Sequence, residues 1–402
     1  MAEATLNWLD THQPDMLRLL TKWAQINTGT FNLPGLSRFS NAVEAEFALL
    51  GGQLKRLDLP PMQSIDSSGN VIQTPLGQAL VFTKRPNAPV KVLLGIHMDT
   101  VYPPTHPFQR VTRIDEKTLQ GPGVADAKGG LVVLLFALRA LEQSDWADKI
   151  GWEVLLNPDE EIGSPGSGHL FVEAAGRNQY GLIFEPALPD GSLVGARKGS
   201  GNFTVIVRGR SAHAGRNYQD GRSAILAAAE FITALNAVQR DQPDITINCG
   251  KIEGGGALNV VPDLAIARFN IRVSNVQDQH HIEAQLAQLA AEFGKRDGIR
   301  IEINGGFHSP PKPLDERSSR LFAMAQAAGR ELGLDLNIRP SGGACDGNRL
   351  VAAGLPVIDT LGPSGGNLHG DREFVRVETL AERSKLTLKI LMALAGTVLS
   401  RS

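Results

Sequence analysis

Five side chains that can ligate metal ions follow apolar segments or lie in glycine-rich loops of this sequence. They are His97, Asp126, Glu161, Glu185 and His369. Two imidazoles and three carboxylates form a mixed nitrogen and oxygen ligand set, which suits two zinc-like ions that share one carboxylate. Each ion would keep a position open for water or substrate. The set therefore predicts metal-assisted hydrolysis.

The segment LLGIHMDT ends a predicted strand with His97 and Asp99. Residues two apart on an extended chain point to the same face. Asp99 can then accept a hydrogen bond from the second imidazole nitrogen of His97 and orient the ring. A core histidine at the end of a strand is the alternative interpretation.

The segment GPGVADAKGG places Asp126 in a turn dense with glycine, where the backbone can approach ions closely. A short aspartate is suited to bridging two cations. Taken alone, the motif is more typical of an aspartate that caps the helix expected from about Gly129. Lys128 does not belong to a phosphate-binding P-loop, because the required glycine spacing and the following Ser or Thr are absent.

Three glutamates follow buried-strand patterns. Glu160 and Glu161 are adjacent and point in different directions, so one can bind metal while the other transfers protons; a solvated acidic turn is the alternative. Glu185 comes directly after YGLIF, where a half-buried carboxylate is costly unless a partner compensates it.

Three residues further along the chain are candidates for contacts with substrate. His213, in SAHAGR, has small neighbours, so it is either a donor to the oxyanion of the reaction or a loop histidine without function. Asn259 and Arg272 would meet a substrate carboxylate, Arg272 through its planar guanidinium. The histidines without comparable context are predicted to be surface residues: His12, His169, His280, His281 and His308.

Composition narrows the class of protein. A length of 402 residues predicts two domains. Forty Lys and Arg residues against 42 Asp and Glu residues give a net charge of -2, which offers no electrostatic basis for binding nucleic acid. The sequence has no apolar run of membrane-spanning length, and its first residues lack the basic start and apolar stretch of a secretion signal; a mature chain from which such a signal was removed is the alternative. Two cysteines, Cys249 and Cys345, predict no disulfide framework, which favours the cytoplasm.

Apolar periodicity predicts the elements that would position the candidate ligands. Helices are expected over 15–26, 39–57 and 130–143, and strands over 79–83, 90–97, 151–157 and 180–185. Continuous apolar runs indicate strands buried on both faces. Their alternation with helices predicts an α/β fold with a mixed, mostly parallel sheet flanked by helices, with functional residues beyond the carboxyl ends of the strands.

The pattern changes after Gly195. Strands are expected at NFTVIVRGR, 245–250, 264–273 and 299–304, with helices over 221–239 and 278–295. This β-α-β-β-α-β order predicts a small α+β sandwich with one exposed sheet face. Helices over 316–332 and 377–398 and a strand over 356–360 follow. Because His369 lies in this last part, we expect an inserted domain at 195–308 within a discontinuous domain of 1–194 and 309–402.

Six segments together resemble the signature segments of the M20 family of metallopeptidases and amidohydrolases: HMDTVYP, GPGVADAKGG, NPDEEIGSPGS, FEPA, GRSAHAG and LHGDREFV. They occur in order over roughly residues 90–380, and the glutamate carboxypeptidase (carboxypeptidase G2-type) branch is the most similar. The resemblance implies two Zn²⁺ per subunit, with Co²⁺ or Mn²⁺ also accepted. It further implies a lid and dimerisation role for 195–308, a homodimer, and a small peptide or N-acyl amino acid as substrate.

The same resemblance divides the ligands between the two ions. His97 and Glu185 would hold one zinc, Glu161 and His369 would hold the other, and Asp126 would bridge them.

It also implies roles around the ions. Asp99 would orient a ligand imidazole, and Glu160 would be the general base. His213 would reach into the site of the neighbouring subunit, while Asn259 and Arg272 would contact the terminal carboxylate of the substrate.

Two positions depart from the family pattern. Ala127 stands where relatives often carry Asp or Met, but that residue is not a ligand, so the metal set is unaffected. In SGGACDGN, Cys345 replaces the threonine of a Gly-Gly-Thr-Asp stretch, which bears on local substrate contacts.

We therefore expect a di-zinc hydrolase that cleaves an amide bond and releases a C-terminal amino acid from a peptidyl or N-acyl substrate. Glu160 would take the proton of the attacking water. A deacetylase or deacylase acting on a small N-acyl amino acid would use the same metals. A metal-binding module without catalysis is the alternative from another class.

Overall fold

A computed structural model of the chain describes residues 2–242 and 244–399. The helices are α1 Ala2–Thr11, α2 Gln13–Ala24, α3 Leu33–Phe47, α4 Lys128–Glu142, α5 Gly168–Ala175, α6 Ala224–Asp241, α7 Val276–Phe293, α8 Glu316–Glu331, α9 Gly347–Ala352 and α10 Glu378–Leu399. The strands of the first half are β1 Gln53–Leu57, β2 Met62–Ile65, β3 Val71–Thr74, β4 Ala79–Lys84, β5 Val90–His97, β6 Thr112–Arg113, β7 Thr118–Gln120, β8 Ile150–Asn157 and β9 Tyr180–Ile183. Those of the second half are β10 Leu193–Arg197, β11 Gly199–Arg208, β12 Thr246–Gly254, β13 Leu264–Val273, β14 Arg300–Ser309, β15 Ile338–Ser341, β16 Val357–Ile358, β17 Gly365–Gly366 and β18 Phe374–Arg376.

A six-stranded sheet, in the order β1-β4-β8-β5-β9-β16, forms the centre of the larger part of the molecule. Strand β5 runs parallel to both β8 and β9, and β16 runs parallel to β9, whereas β1 and β4 add to the edge in antiparallel fashion. All eight residues of β8 are buried, as its continuous apolar run predicts. The predicted α/β class with a mixed, mostly parallel sheet is confirmed.

Helices cover both faces of this sheet. Helices α2, α4 and α10 pack over one face, where Trp23, Phe136 and Leu391 belong to one apolar cluster. Helices α5 and α9 cover part of the other face through a smaller cluster that includes Phe171 and Leu350. Burying both faces leaves the ends of the strands as the accessible places for polar side chains.

A second sheet, in the order β12-β13-β11-β14, is antiparallel throughout. Helices α6 and α7 pack against it, and its apolar cluster includes Phe203, Phe231, Phe269 and Phe293. Along the chain these elements follow the predicted β-α-β-β-α-β order. Strand β12 forms one edge of the sheet and has no partner strand on its outer side among the described residues.

A hairpin made of β2 and β3 connects the two sheets. Arg268 of β13 donates a hydrogen bond to the backbone oxygen of Ile65 at 2.7 Å, and Arg208 of β11 donates to that of Gly69 at 3.1 Å. The tip of the hairpin therefore contacts the face of the second sheet.

The prediction of a helix over 39–57 was wrong in its second half. Helix α3 ends at Phe47, a short 3-10 turn follows, and Gly51 adopts a left-handed φ of 72°. Residues Gln53–Leu57 then pair with β4 as an edge strand. Apolar spacing alone did not distinguish the alternating exposure of this strand from a helical face. Among the described residues, no helix combines the length and the apolar character needed to span a bilayer.

Candidate metal centre

Strand pairing brings the first ligand candidates together. His97 is the last residue of β5 and lies opposite Asn157, the last residue of the parallel strand β8. Glu160 and Glu161 form a short 3-10 turn directly after β8, and Glu185 follows β9 on the other side of β5. Because these strands are parallel, their carboxyl ends deliver all of these side chains to one edge of the sheet.

The five predicted ligands meet at that edge. Nε2 of His97 lies 3.0 Å from Oδ1 of Asp126 and 3.8 Å from a carboxylate oxygen of Glu185. Nε2 of His369 lies 3.3 Å from Oδ2 of Asp126 and 3.2 Å from Oε2 of Glu161. One ligand atom from each of His97, Asp126 and Glu161 falls within 4.8 Å of the other two.

Asp126 occupies the middle of this arrangement and is not a helix cap. Helix α4 begins at Lys128 after Ala127, and no side chain caps its start. The two carboxylate oxygens of Asp126 instead face two different imidazoles. The interpretation of Asp126 as a cap is therefore excluded.

Asp99 contacts the ring of His97 mainly through its backbone. Nδ1 of His97 lies 3.0 Å from the backbone oxygen of Asp99 and 3.4 Å from its Oδ1. The carboxylate of Asp99 accepts hydrogen bonds from the backbone N–H groups of Glu160 and Glu161, at 3.1 and 3.2 Å, and from the hydroxyl of Thr30 at 2.7 Å. Asp99 thus ties the His97 strand end to the glutamate turn.

Burial and crowding shift the proton affinities of the carboxylates. Burial raises the pKa of Glu161 to about 7 and that of Glu185 to about 8. Burial, together with the charge of Glu185, raises the pKa of Glu160 well above its usual range. Hydrogen bonds to Asp126 and Glu161 raise the pKa of His369 to about 11. With all of these carboxylates ionised, the site would carry more negative charge than its two imidazoles could neutralise, which is why protonation is favoured when no cation is bound.

These residues fit a pair of divalent cations. The side chain of Glu161 is only 5% exposed, and its Oε1 is buried without a hydrogen-bond partner among the described residues. A buried carboxylate oxygen without a partner is costly, and a bound cation would satisfy it. Imidazole nitrogen and carboxylate oxygen are also atoms that commonly coordinate zinc. The side chain of His369 is 56% exposed, so solvent and substrate can reach this edge of the site.

The predicted substrate contacts lie elsewhere. His213 is exposed and pairs with Val260 in an isolated bridge, and its Nδ1 accepts hydrogen bonds from the backbone of Gly215 and Arg216. Asn259 lies in the same exposed region, where its backbone oxygen accepts a hydrogen bond from the N–H of Ala214 at 2.8 Å. Within the described chain, none of these side chains hydrogen-bonds or ion-pairs with the five candidate ligands.

Arg272 lies near the end of β13, a strand of the second sheet. Its guanidinium donates to the backbone oxygen of Gly342 at 2.6 Å and to the side chain of Asn270 at 3.2 Å. No carboxylate of the described residues forms an ion pair with it. The hydrogen bonds of its guanidinium therefore go to uncharged oxygens.

Sequence reasoning missed residues that are not ligand candidates but form hydrogen bonds around the ligand-bearing segments. Thr30 donates to Asp99, Glu373 accepts hydrogen bonds from the backbone of the Asp126 loop, and the hydroxyl of Tyr102 contacts Glu373. Tyr102 and Glu373 lie in HMDTVYP and LHGDREFV, two of the segments that carry ligand candidates, but sequence reasoning assigned no role to either residue.

The prediction that His308 is a surface residue was wrong. Its side chain is partly buried, and its Nε2 is buried without a hydrogen-bond partner in the described structure. The ring packs over Gly163, where an added Cβ would lie 2.7 Å from Nδ1 of His308. Burial, and then the charges of Arg349 and Arg272, lower the pKa of His308 to about 4. A single histidine before two prolines gave no pattern from which this burial could be predicted.

Cys345 also lies inside the molecule. Its Sγ is buried 3.6 Å from Oδ2 of Asp359, which forms ion pairs with Arg197 and Lys312. This residue therefore borders an internal ion-pair cluster where the chain passes between the two sheets.

Comparison with known proteins identifies the family of the chain. The model of peptidase family M20/M25/M40 matches residues 93–393. Carboxypeptidase G2 of a Pseudomonas species is 28% identical over 388 residues, which cover 96% of this chain and 90% of that protein. A succinyl-diaminopimelate desuccinylase of Thioalkalivibrio sulfidiphilus is 28% identical over 327 residues, covering 76% of this chain and 84% of the relative.

Solved structures share the fold. An M20 family metallo-carboxypeptidase from Sulfolobus solfataricus superimposes with a TM-score of 0.73 at 17% identity, covering 94% of this chain and 99% of that one. The shared fold includes both sheets, because nearly the whole of each chain is covered.

Proposed function

The chain belongs to peptidase family M20/M25/M40 and is a metal-dependent hydrolase, and we propose that it cleaves an amide bond to release a C-terminal amino acid from a peptidyl or N-acyl substrate. The observation that carries this proposal is the placement of two imidazoles on opposite oxygens of the Asp126 carboxylate. A carboxylate held in this way is suited to bridging two cations. The similarity to a carboxypeptidase over 96% of the chain supports cleavage at the carboxyl-terminal end of the substrate.

The proposed ligands divide into two sets around Asp126. His97 and Glu185 form one set, and Glu161 and His369 form the other. The contacts support this division, because each imidazole lies near the glutamate of its own set, at 3.8 and 3.2 Å. We propose Zn²⁺ in both positions, with Co²⁺ or Mn²⁺ as functional substitutes.

Glu160 is the proposed general base. Bound cations would polarise the substrate carbonyl and lower the pKa of water. Glu160 would take a proton from the attacking water and deliver it to the nitrogen of the departing amine. Burial raises the pKa of Glu160, which favours a side chain that can hold the proton it takes from water until the amine departs. The backbone N–H of Glu160, held by Asp99, fixes its turn.

We further propose that residues 195–308 form a lid and dimerisation domain, and that 1–194 and 309–402 form the catalytic domain. The separate apolar cluster of the second sheet supports this division. The two segments that cross between these parts lie side by side, because Arg197 and Lys312 pair with each other through their backbones. Rotation about this point would bring the lid towards the metal site and exclude water.

Arg272 and Asn259 are the proposed contacts for the terminal carboxylate of the substrate. The guanidinium of Arg272 has no carboxylate partner among the described residues, so it remains able to bind an anion. Such a contact would restrict cleavage to the last residue of a peptide.

The proposed homodimer would form through the lid. Strand β12 offers an edge for strand pairing, and Ile252 on it is 60% exposed. Leu258 and Ile225, on the adjoining loop and helix, are also exposed, at 102% and 44%. This dimer would carry His213 of the partner subunit towards the catalytic domain, where it would donate to the oxyanion. The exposed position of His213 in a single chain supports this role.

A deacylase of small N-acyl amino acids is the second candidate, favoured by the similarity to a succinyl-diaminopimelate desuccinylase. The same metals and the same Glu160 would serve it. We place the protein in the cytoplasm, because Cys249 and Cys345 are both free.

Hydrolysis of a library of dipeptides, tripeptides and N-acyl amino acids by the Zn²⁺-loaded protein tests the proposal. We expect release of the carboxyl-terminal amino acid and loss of cleavage when that carboxylate is amidated. Cleavage confined to acetyl or succinyl groups would favour the deacylase. Release of amino-terminal residues from amidated peptides would contradict the proposal.

A further inference from the structure

We propose that Glu373 and Tyr102 form a positioning pair that holds three ligand-bearing segments in register before any cation binds. The inference rests on the proposed metal site. It assigns a role to two residues that are not themselves ligands.

The carboxylate of Glu373 is entirely enclosed by donors from one loop and one phenol. Its Oε1 accepts hydrogen bonds from the backbone N–H groups of Ala125 and Asp126, at 2.9 and 3.0 Å. Its Oε2 accepts a hydrogen bond from the N–H of Gly123 at 3.0 Å and lies 3.0 Å from Oη of Tyr102. Glu373 is 0% exposed. Three N–H groups aimed at one carboxylate fix the path of the loop that carries Asp126.

Tyr102 extends this arrangement to the other ligand segments. Its Oη also lies 2.8 Å from the backbone oxygen of Gly370, the residue after His369. The chain before Tyr102 leads back to Asp99 and His97 at the end of β5. The hydroxyl carries a single proton, which it shares between Oε2 of Glu373 and the backbone oxygen of Gly370, and it thereby lies between the segments that carry His97, Asp126 and His369.

The energetic reason for this role is that backbone N–H groups and one phenol, rather than a cation in direct contact, solvate Glu373; the buried Lys128 interacts with it only through space. Among the described residues, no Lys or Arg forms an ion pair with Glu373. A buried carboxylate without hydrogen bonds is costly, so any displacement of the loop would strip donors from Glu373 and raise the free energy. The separation of Asp126 from the two imidazoles is thus fixed by backbone geometry rather than by the ions. Residues that orient ligands in this way typically alter metal affinity when they are replaced.

Replacing Glu373 with Gln is diagnostic because the shape is kept while one acceptor becomes a donor. If the amide nitrogen takes the place of Oε2, the N–H of Gly123 loses its acceptor. If it takes the place of Oε1, two backbone N–H groups lose theirs. In either orientation the Asp126 loop is released at one point or more.

Glu153→Gln is the matched control. Glu153 is also buried, at 7% exposure, and it accepts hydrogen bonds from Arg177 and Asn178 at 2.7 and 2.9 Å. It lies within β8, away from the five ligands. The same chemical change there should affect stability without affecting the cations.

The test is a titration of metal-free protein with Co²⁺, followed by visible absorption, together with hydrogen exchange of peptides that span the Asp126 loop. We expect Glu373→Gln to weaken Co²⁺ binding by about 10- to 100-fold, to alter the absorption band, and to speed exchange in this loop. Glu153→Gln should match the wild type in all three measurements. Tyr102→Phe, which removes one hydroxyl, should shift them in the same direction as Glu373→Gln, and it decides the test should Glu373→Gln fail to fold.

Unchanged Co²⁺ affinity and unchanged loop exchange in the folded Glu373→Gln or Tyr102→Phe protein would overturn this inference. Failure of the wild type to bind Co²⁺ would instead overturn the proposed metal site. The two results are therefore distinguishable.

Discussion

His97 and His369 face opposite oxygens of the same carboxylate. Nε2 of His97 is 3.0 Å from Oδ1 of Asp126, and Nε2 of His369 is 3.3 Å from Oδ2. The two histidines are far apart in the sequence: His97 is the last residue of the buried strand β5, and His369 lies in a loop before β18. Glu185 lies 3.8 Å from the imidazole of His97, and Glu161 lies 3.2 Å from that of His369. This pairing is the physical basis for proposing two cations rather than one.

Replacing Glu160 with Gln should abolish turnover while both cations remain bound. The amide keeps the size of the side chain but cannot accept a proton from water, and general-base catalysis typically contributes about 10²- to 10⁴-fold to the rate. Metal content and kcat of the purified variant are the measurements. Loss of the cations together with activity would indicate that Glu160 is a ligand, and retention of most of the activity would remove it from the mechanism.

The ligand candidates were predictable because strand ends are readable from sequence. Strands β5, β8 and β9 are continuous apolar runs, and parallel strands must end at a common edge, so His97, Glu161 and Glu185 were expected together. Asp126 needed more than its own motif, since a glycine-rich turn before a helix equally favours a cap.

What the sequence did not reveal is mostly long-range contact. The backbone of the Asp126 loop depends on Glu373, far along the chain, and no local pattern marks that pairing. The edge strand at Gln53–Leu57 was mistaken for helix because a left-handed glycine, rather than apolar spacing, ends the preceding helix. The burial of His308 likewise follows from packing against Gly163.

His308 should make the stability of the folded protein depend on pH. Its pKa is lowered from 6.5 to about 4 by burial and by Arg349 and Arg272, so the unfolded chain binds a proton at this residue between these values while the folded chain does not. The contribution is fully present above the unfolded pKa and is lost as the pH falls towards the folded pKa. Between about pH 7 and pH 5, wild type should lose about 1–2 kcal/mol more stability than His308→Gln.

Urea unfolding at the two pH values measures this difference. His169→Gln, at an exposed histidine, is the matched control and should follow the wild type. An identical loss of stability in His308→Gln and wild type would show that His308 is not buried as described.

The ion-pair cluster beside Cys345 should be important for stability. Asp359 is 0% exposed and lies 2.8 Å from Nε of Arg197 and 3.0 Å from Nζ of Lys312. Asp359→Asn would leave two buried cations without their shared counter-charge, which should lower the free energy of unfolding by about 3–5 kcal/mol. Urea denaturation is the measurement.

Asp190→Asn provides the surface comparison. Its ion pair with Arg339 spans 2.8 Å, but solvent screens both exposed side chains, so the loss of stability should be small compared with that of Asp359→Asn. Equal losses from the two variants would contradict the assignment of a buried cluster at the crossing between the sheets.

Ile252→Glu should disrupt the proposed dimer. Charge on the edge strand β12 would oppose pairing with a second copy, because an unpaired carboxylate would be buried at the interface. Val71→Glu, equally exposed at 60% but on the β2–β3 hairpin, is the control. Sedimentation analysis should show a dimer for wild type and Val71→Glu and a monomer for Ile252→Glu. A monomeric wild type, or a dimer of unchanged strength in Ile252→Glu, would exclude this edge as the interface.

The most direct test of the account is anomalous diffraction at the zinc edge from crystals of the Zn²⁺-loaded protein. Two peaks are expected on either side of Asp126, each within about 2.0–2.3 Å of its ligand atoms. One peak should lie beside His97 and Glu185, and the other beside Glu161 and His369. A single peak, or the absence of any peak at these five residues, would contradict the two-cation site.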